Sequence, residues 1–286
     1  MTTRTEAVRS IGGVRVDVHI TAGARGAELP PLVLLHGVGT SALSYEWLLP
    51  RVPERDVYRV DFRGHGTSER APGTYTLEYY CEDAVRVLSE VVKRPAVVAG
   101  FSLGGMVAWT LAQRVPELLV GVLLEDPVMF RDPDWATSGM PEFLQWTIDQ
   151  EISWEQRGLS VDEAAVELAA NSAGPGVTMG DILYPDAVVA LAKGTILRDR
   201  GTMQAAIDGT MPNGVDIAAP LRVPAVIMAA SADVSGVSAA DEATLARTHP
   251  EIAIHRVETG HDIHNSFAGR DLYVRLLREF LDEYAR

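Results

Sequence analysis

The chain has 286 residues, enough for one large α/β domain or a core domain with an inserted subdomain, and its 47% hydrophobic and 22% charged fractions exclude a disordered chain. A formal net charge of -14 argues against nucleic acid or an anionic membrane as a partner, since both demand clustered Lys and Arg. The single Cys81 excludes an internal disulfide, and residues 1–10 carry charges and no apolar run, so a cytoplasmic protein is expected.

In chain order, Ala7 to Ile20 alternates loosely around Gly12-Gly13 and reads as a β-hairpin. Leu32 to Leu35 is a short apolar run ending in His36-Gly37-Val38-Gly39, the pattern of a strand buried on both faces. Val57 to Asp61 is a second such strand, closed by Phe62-Arg63-Gly64-His65-Gly66. Apolar residues at 77, 81, 84, 85, 88, 91 and 92 follow helical spacing, which places Cys81 as a buried structural thiol. Ala96 to Ala99 is a strand, Met106 to Val115 a helix that is apolar nearly all round, and Val120 to Leu124 the next strand, ending in Glu125-Asp126-Pro127.

From about Arg131 to Pro220 the alternation stops and the chain becomes helix-prone, broken at Gly174-Pro175-Gly176 and Pro185. It then resumes with a strand at Ala225 to Met228, a helix from about Ala239 to Arg247, a strand at Ile252 to Val257 closing at Thr259-Gly260-His261, and a last helix from about Asp271 to Tyr284. Such alternation implies a mostly parallel sheet whose ligands bind beyond the strand carboxyl ends. Residues 131–220 read as a helical cap inserted in a core formed by 1–130 and 221–286.

Gly100-Phe101-Ser102-Leu103-Gly104 stands where a strand turns into a helix, the setting of a nucleophile elbow. Together with Leu35-His36-Gly37, Asp61-Phe62-Arg63-Gly64-His65-Gly66 and Gly260-His261, it makes the sequence resemble the α/β-hydrolase superfamily over essentially the whole chain. The resemblance implies a mostly parallel eight-stranded sheet with helices on both faces and an inserted cap. It also implies a nucleophile, acid, histidine order along the chain.

A serine hydroxyl needs a neighbouring base, and a carboxylate must orient and stabilise that base. Ser102 is therefore the expected nucleophile and His261 the general base. His36 and His65 fall at loop-shaping positions of the motif. His264, three residues beyond His261, suggests a metal pair, but no cluster with ligand spacing accompanies it, and neither a metal nor any other cofactor is expected. The oxyanion donors are the backbone N–H of Leu103, by the elbow's geometry, and of Val38, by the resemblance.

Two carboxylates compete for the third position. Asp233 follows the strand where most of the superfamily carries its acid, although Ala230-Ser231-Ala232 lacks the usual glycine. Glu125 ends the strand beside the nucleophile strand, where haloalkane dehalogenases and zearalenone lactonases carry theirs.

A serine at the elbow separates the chain from the dehalogenases and epoxide hydrolases of this fold, which use an aspartate, and favours acyl transfer to water. The expected partner is a small-molecule substrate, with oligomeric state open. Phe130, Trp135, Phe143 and Trp146 are candidates to line a pocket. Residues 131–215 hold thirteen Asp or Glu against five Lys or Arg, a net of -8, which favours neutral or cationic esters and lactones such as an amino-sugar-bearing macrolide. Carbon-carbon bond hydrolase, perhydrolase-type haloperoxidase and non-catalytic binder are the alternatives.

Overall fold

The computed structural model describes residues 2–129, 140–211 and 215–286. Strands β1 (Thr3–Arg9) and β2 (Arg15–Thr21) form the expected antiparallel hairpin, turning through Gly12 and Gly13 at φ of 79° and 76°. Six further strands complete the sheet: β3 (Leu32–Leu35), β4 (Val57–Val60), β5 (Ala96–Phe101), β6 (Leu119–Glu125), β9 (Ala225–Ala229) and β10 (Ala253–Arg256). The order across it is β1-β2-β4-β3-β5-β6-β9-β10, and every pair from β4 to β10 is parallel.

Strand alternation sorts the core into two layers. Val33, Leu35, Ala96, Val98, Val122 and Leu124 pack against α1 (Leu77–Arg86) and α2 (Leu103–Arg114). Leu32, Leu34, Val97, Ala99, Phe101 and Leu123 face the opposite side, with Tyr45, Leu48 and the apolar stripe Tyr273, Leu276, Leu277, Phe280 and Leu281 of α9 (Arg270–Tyr284). Each buried Val, Leu or Phe among these contributes on the order of 2 kcal/mol in area terms. The predicted helix through Val92 forms as α1 followed by a π-helical turn over Val87–Val92, which Lys93 ends in the left-handed conformation. Cys81 is buried and free, as its spacing predicts.

Between β6 and β9 lie the helices α3 (Met140–Arg157), α4 (Val161–Ala170), α5 (Met179–Ile182), α6 (Pro185–Leu197) and α7 (Arg200–Ile207), with a small hairpin of β7 (Ser172–Gly174) and β8 (Val177–Thr178). Trp154, Ala164, Ala165, Leu183, Val188 and Ala192 give this insertion its own apolar cluster. Leu144, Ile148, Met203 and Ala206 join the main core, so α3 and α7 are packed onto the sheet domain. A buried pair, Arg198 Nε to Glu151 Oε2 at 2.9 Å, ties α3 to the α6–α7 junction. Helix α8 (Ala239–Thr248) starts from a capping box between Ser238 and Asp241. Among the described residues no helix is long and apolar enough to cross a membrane.

Candidate active site

The elbow is held by crowding that only glycine tolerates. A Cβ on Gly100 would stand 2.1 Å from the Gly104 carbonyl oxygen, and one on Gly104 would stand 2.1 Å from the Leu35 carbonyl oxygen. Ser102 between them adopts φ 52° and ψ -111°, a conformation that costs on the order of 1–3 kcal/mol and that surrounding structure must hold. Its N–H donates to the Glu125 carbonyl at 2.8 Å, and the Gly104 N–H donates to the His36 carbonyl at 3.1 Å. The elbow is thereby fixed to both neighbouring strands.

The loop after β3 is shaped by the two histidines that the sequence assigns to structure. The Phe62 N–H donates to His36 Nε2 at 3.1 Å, so the His36 proton sits on Nδ1, which donates to the Gly37 carbonyl at 2.7 Å. His65 repeats the arrangement, accepting from the Gly39 N–H at 3.1 Å and donating to the Arg63 carbonyl at 3.0 Å. Burial holds both imidazoles below their ordinary pKa, which keeps them neutral and able to accept at Nε2. With the Gly39 and Thr40 N–H groups engaged, the Val38 N–H has no acceptor among the described residues, and neither has that of Leu103 at the start of α2. The two predicted oxyanion donors are thus unpaired.

His261 sits in the loop between β10 and α9, its ring 4.9 Å from that of Phe101. The carboxylate that meets it is neither of the two expected. Asp126 Oδ2 lies 2.5 Å from His261 Nδ1, and Asp126 is fully buried. Its carboxylate also accepts from the Ala230 N–H at 3.0 Å, the Ser235 hydroxyl at 2.5 Å and the Gly236 N–H at 3.0 Å. Burial pushes this carboxyl up, but the His261 bond and these donors outweigh it and hold the group below its ordinary value. Burial is the largest influence on His261 and pulls it down, but the bond to Asp126 and the charges of Asp126, Asp262 and Glu125 together leave the imidazole above its ordinary value.

Asp233 is exposed on the loop after β9 and makes no bond to His261. It lines a surface cleft of about 410 Å³ with Asp181, Glu258 and Phe267. Glu125 does not meet His261 either. Along β6, Leu123 faces the α9 side of the sheet and Leu124 the α2 side, so alternation returns Glu125 to the α9 side. There its buried carboxylate accepts from the His264 N–H at 2.7 Å and from His264 Nδ1 at 2.8 Å. Asp126, the first residue past the strand, has φ 40° and turns toward His261. Aspartate tolerates this left-handed region better than most residues, a signal that favours Asp126 over its neighbour.

Of the expected pocket residues, Phe130 and Trp135 lie outside the described residues. Phe143 and Trp146 are exposed on α3 and stack on each other at 5.9 Å, whereas Trp154 and Met203 are buried in the two cores.

Comparison with known proteins agrees with the fold. Over 117 residues the chain is 36% identical to a pimeloyl-[acyl-carrier protein] methyl ester esterase of Sodalis glossinidius (strain morsitans), covering 40% of this chain and 43% of that protein. Over 115 residues it is 31% identical to a 2-(acetamidomethylene)succinate hydrolase of Mesorhizobium japonicum, covering 39% and 41%. The matched region spans less than half the length of these curated relatives. Among solved structures, the enol-lactonase from Burkholderia xenovorans LB400 aligns over 97% of this chain and 100% of its own, with TM-score 0.71 and 18% identity, which shows a shared fold. The model of the Alpha/beta hydrolase family matches residues 32–273, a span that takes in β3, the elbow, Asp126 and His261, and the chain belongs to that family.

Proposed function

We propose that the protein is a serine hydrolase that cleaves a carboxylic ester or lactone through an acyl-enzyme on Ser102. The observation that carries this reading is the His261–Asp126 bond in the loops flanking the strained Ser102 elbow. Asp126 accepts a hydrogen bond from Nδ1–H, which leaves Nε2 as the basic nitrogen. In the proposed reaction Nε2 removes the Ser102 proton as Oγ attacks the acyl carbon, and the tetrahedral oxyanion is met by the Val38 and Leu103 N–H groups. His261 then returns the proton to the leaving oxygen. Water, deprotonated by the same nitrogen, then attacks the acyl carbon, and the imidazolium returns that proton to Ser102 Oγ as the acid leaves.

The proposed substrates are bulky, apolar and neutral or cationic, macrocyclic lactones included. The net charge of -8 over residues 131–215 supports this, because it opposes entry of anions, and the exposed Phe143–Trp146 stack offers an aromatic face. Hydrolysis of p-nitrophenyl esters that is abolished in Ser102→Ala tests the reaction class. Rates on matched cationic and anionic esters at low salt test the charge preference, and faster turnover of the anion contradicts it.

A further inference from the structure

Glu125 and His264 are both fully buried, and their pairing is not used by the chemistry proposed above. Tyr45 stacks on the His264 ring at 4.7 Å, with Phe101 at 5.3 Å and Tyr273 at 5.7 Å. The other charged groups facing the pair are Asp262, 3.4 Å from His264 Nδ1, and Arg270, whose Nε donates to the His264 carbonyl at 3.1 Å. A buried acid–imidazole pair in such surroundings is rarely more stable than apolar side chains of the same volume. Its presence calls for another contribution.

Connectivity supplies one. Glu125 touches all three segments of the proposed triad: its carbonyl accepts from the Ser102 N–H, its peptide bond leads into Asp126, and its carboxylate grips the His261 loop through both the backbone and the ring of His264. Asp126–His261 and Glu125–His264 therefore run side by side between the end of β6 and the same loop. The Phe101 ring lies against both imidazoles, at 4.9 and 5.3 Å. One bond would let the loop pivot about the Asp126 carboxylate, whereas two parallel ones fix its rotation as well. The far side of the loop is anchored too, by the Tyr184 N–H to the Asn265 carbonyl at 3.0 Å and the Phe267 N–H to the Ile182 carbonyl at 2.9 Å.

We propose that Glu125 and His264 are positioning residues that hold the His261 imidazole in register with Asp126 and Ser102. This rests on the serine-hydrolase reading, and since a displacement of about 1 Å at a reacting group costs about 100-fold in rate, the pair acts on turnover rather than on substrate binding.

The test compares wild type with Glu125→Ala, Glu125→Gln and His264→Gln on a p-nitrophenyl ester, with active sites counted by stoichiometric reaction with a fluorophosphonate. The expected result for Glu125→Ala is a fall in kcat per titrated site of about 10- to 100-fold with KM within about threefold. Glu125→Gln, which keeps an acceptor for His264, recovers most of that loss. The downfield proton resonance of the His261–Asp126 bond should broaden or vanish in Glu125→Ala and persist in Glu125→Gln. If Glu125→Ala does not fold, His264→Gln is read in its place and should lose about tenfold in kcat per site. A wild-type kcat per titrated site in these variants overturns the proposal, since a merely stabilising pair changes only the number of active sites. Failure of the serine reading appears separately, as Ser102→Ala that still turns over the ester.

Discussion

His261 Nδ1 and Asp126 Oδ2 are 2.5 Å apart across 135 residues of sequence, and that carboxylate is closed on its remaining sides by Ala230, Ser235 and Gly236. The imidazole is thereby held in the tautomer that leaves Nε2 basic. Asp126→Asn should keep the shape of this site and reverse the tautomer, lowering kcat by about 10⁴-fold. Asp233→Asn, on an exposed loop, should change turnover of a neutral p-nitrophenyl ester by less than about threefold. Steady-state kinetics of the two variants checks both expectations. Equal losses in the two variants would count against the assignment.

The pH dependence follows from the same bond. His261 accepts a proton only when neutral, and although burial lowers its pKa, the Asp126 bond and the Asp262 and Glu125 carboxylates raise it overall. The imidazolium therefore persists to higher pH than usual. Activity should be lost as pH falls through a value above 6.5, read from the acidic limb of kcat/KM. In Asp126→Asn the residual activity should show that limb displaced to lower pH. A limb that does not move between the two proteins would exclude Asp126 as its cause.

Stability rests partly on a further buried ion pair. Arg63 donates from Nε and Nη2 to the two oxygens of Asp83, at 2.7 and 2.6 Å, and neither side chain is exposed. Asp83→Ala leaves a buried guanidinium without its counter-charge and should cost about 3–5 kcal/mol of unfolding free energy, seen as a lower midpoint in urea. Turnover per folded molecule should change little.

Packing at the elbow is equally demanding. A methyl group on Gly104 would meet the Leu35 carbonyl, a backbone atom of the adjacent strand. Gly104→Ala should lose about 3 kcal/mol or more, or fail to accumulate as soluble protein. Thermal unfolding of whatever soluble protein is obtained checks this.

Much of this architecture is legible in the sequence, because short apolar runs ending in glycine or histidine mark the strand ends that carry the site. The places of Ser102 and His261 at strand ends and the loop-shaping bonds of His36 and His65 follow from those positions. Which carboxylate meets His261 does not, because Glu125 and Asp126 are adjacent at a strand end and only the strand's alternation and the turn after it decide which carboxylate reaches which histidine. Alternation sends Glu125 to His264, and the positive φ of Asp126 sends the next carboxylate to His261. Likewise the Glu151–Arg198 pair joins residues 47 positions apart through helix packing, which no local pattern encodes.

The proposed reaction requires an acyl-enzyme on Ser102. Incubation with a fluorophosphonate followed by peptide mass spectrometry, run beside p-nitrophenyl ester turnover, tests it directly. The predicted result is one adduct per chain, on Ser102, with turnover falling on the order of 10⁵-fold in Ser102→Ala. An adduct elsewhere, or undiminished turnover in Ser102→Ala, would rule out Ser102 as the nucleophile.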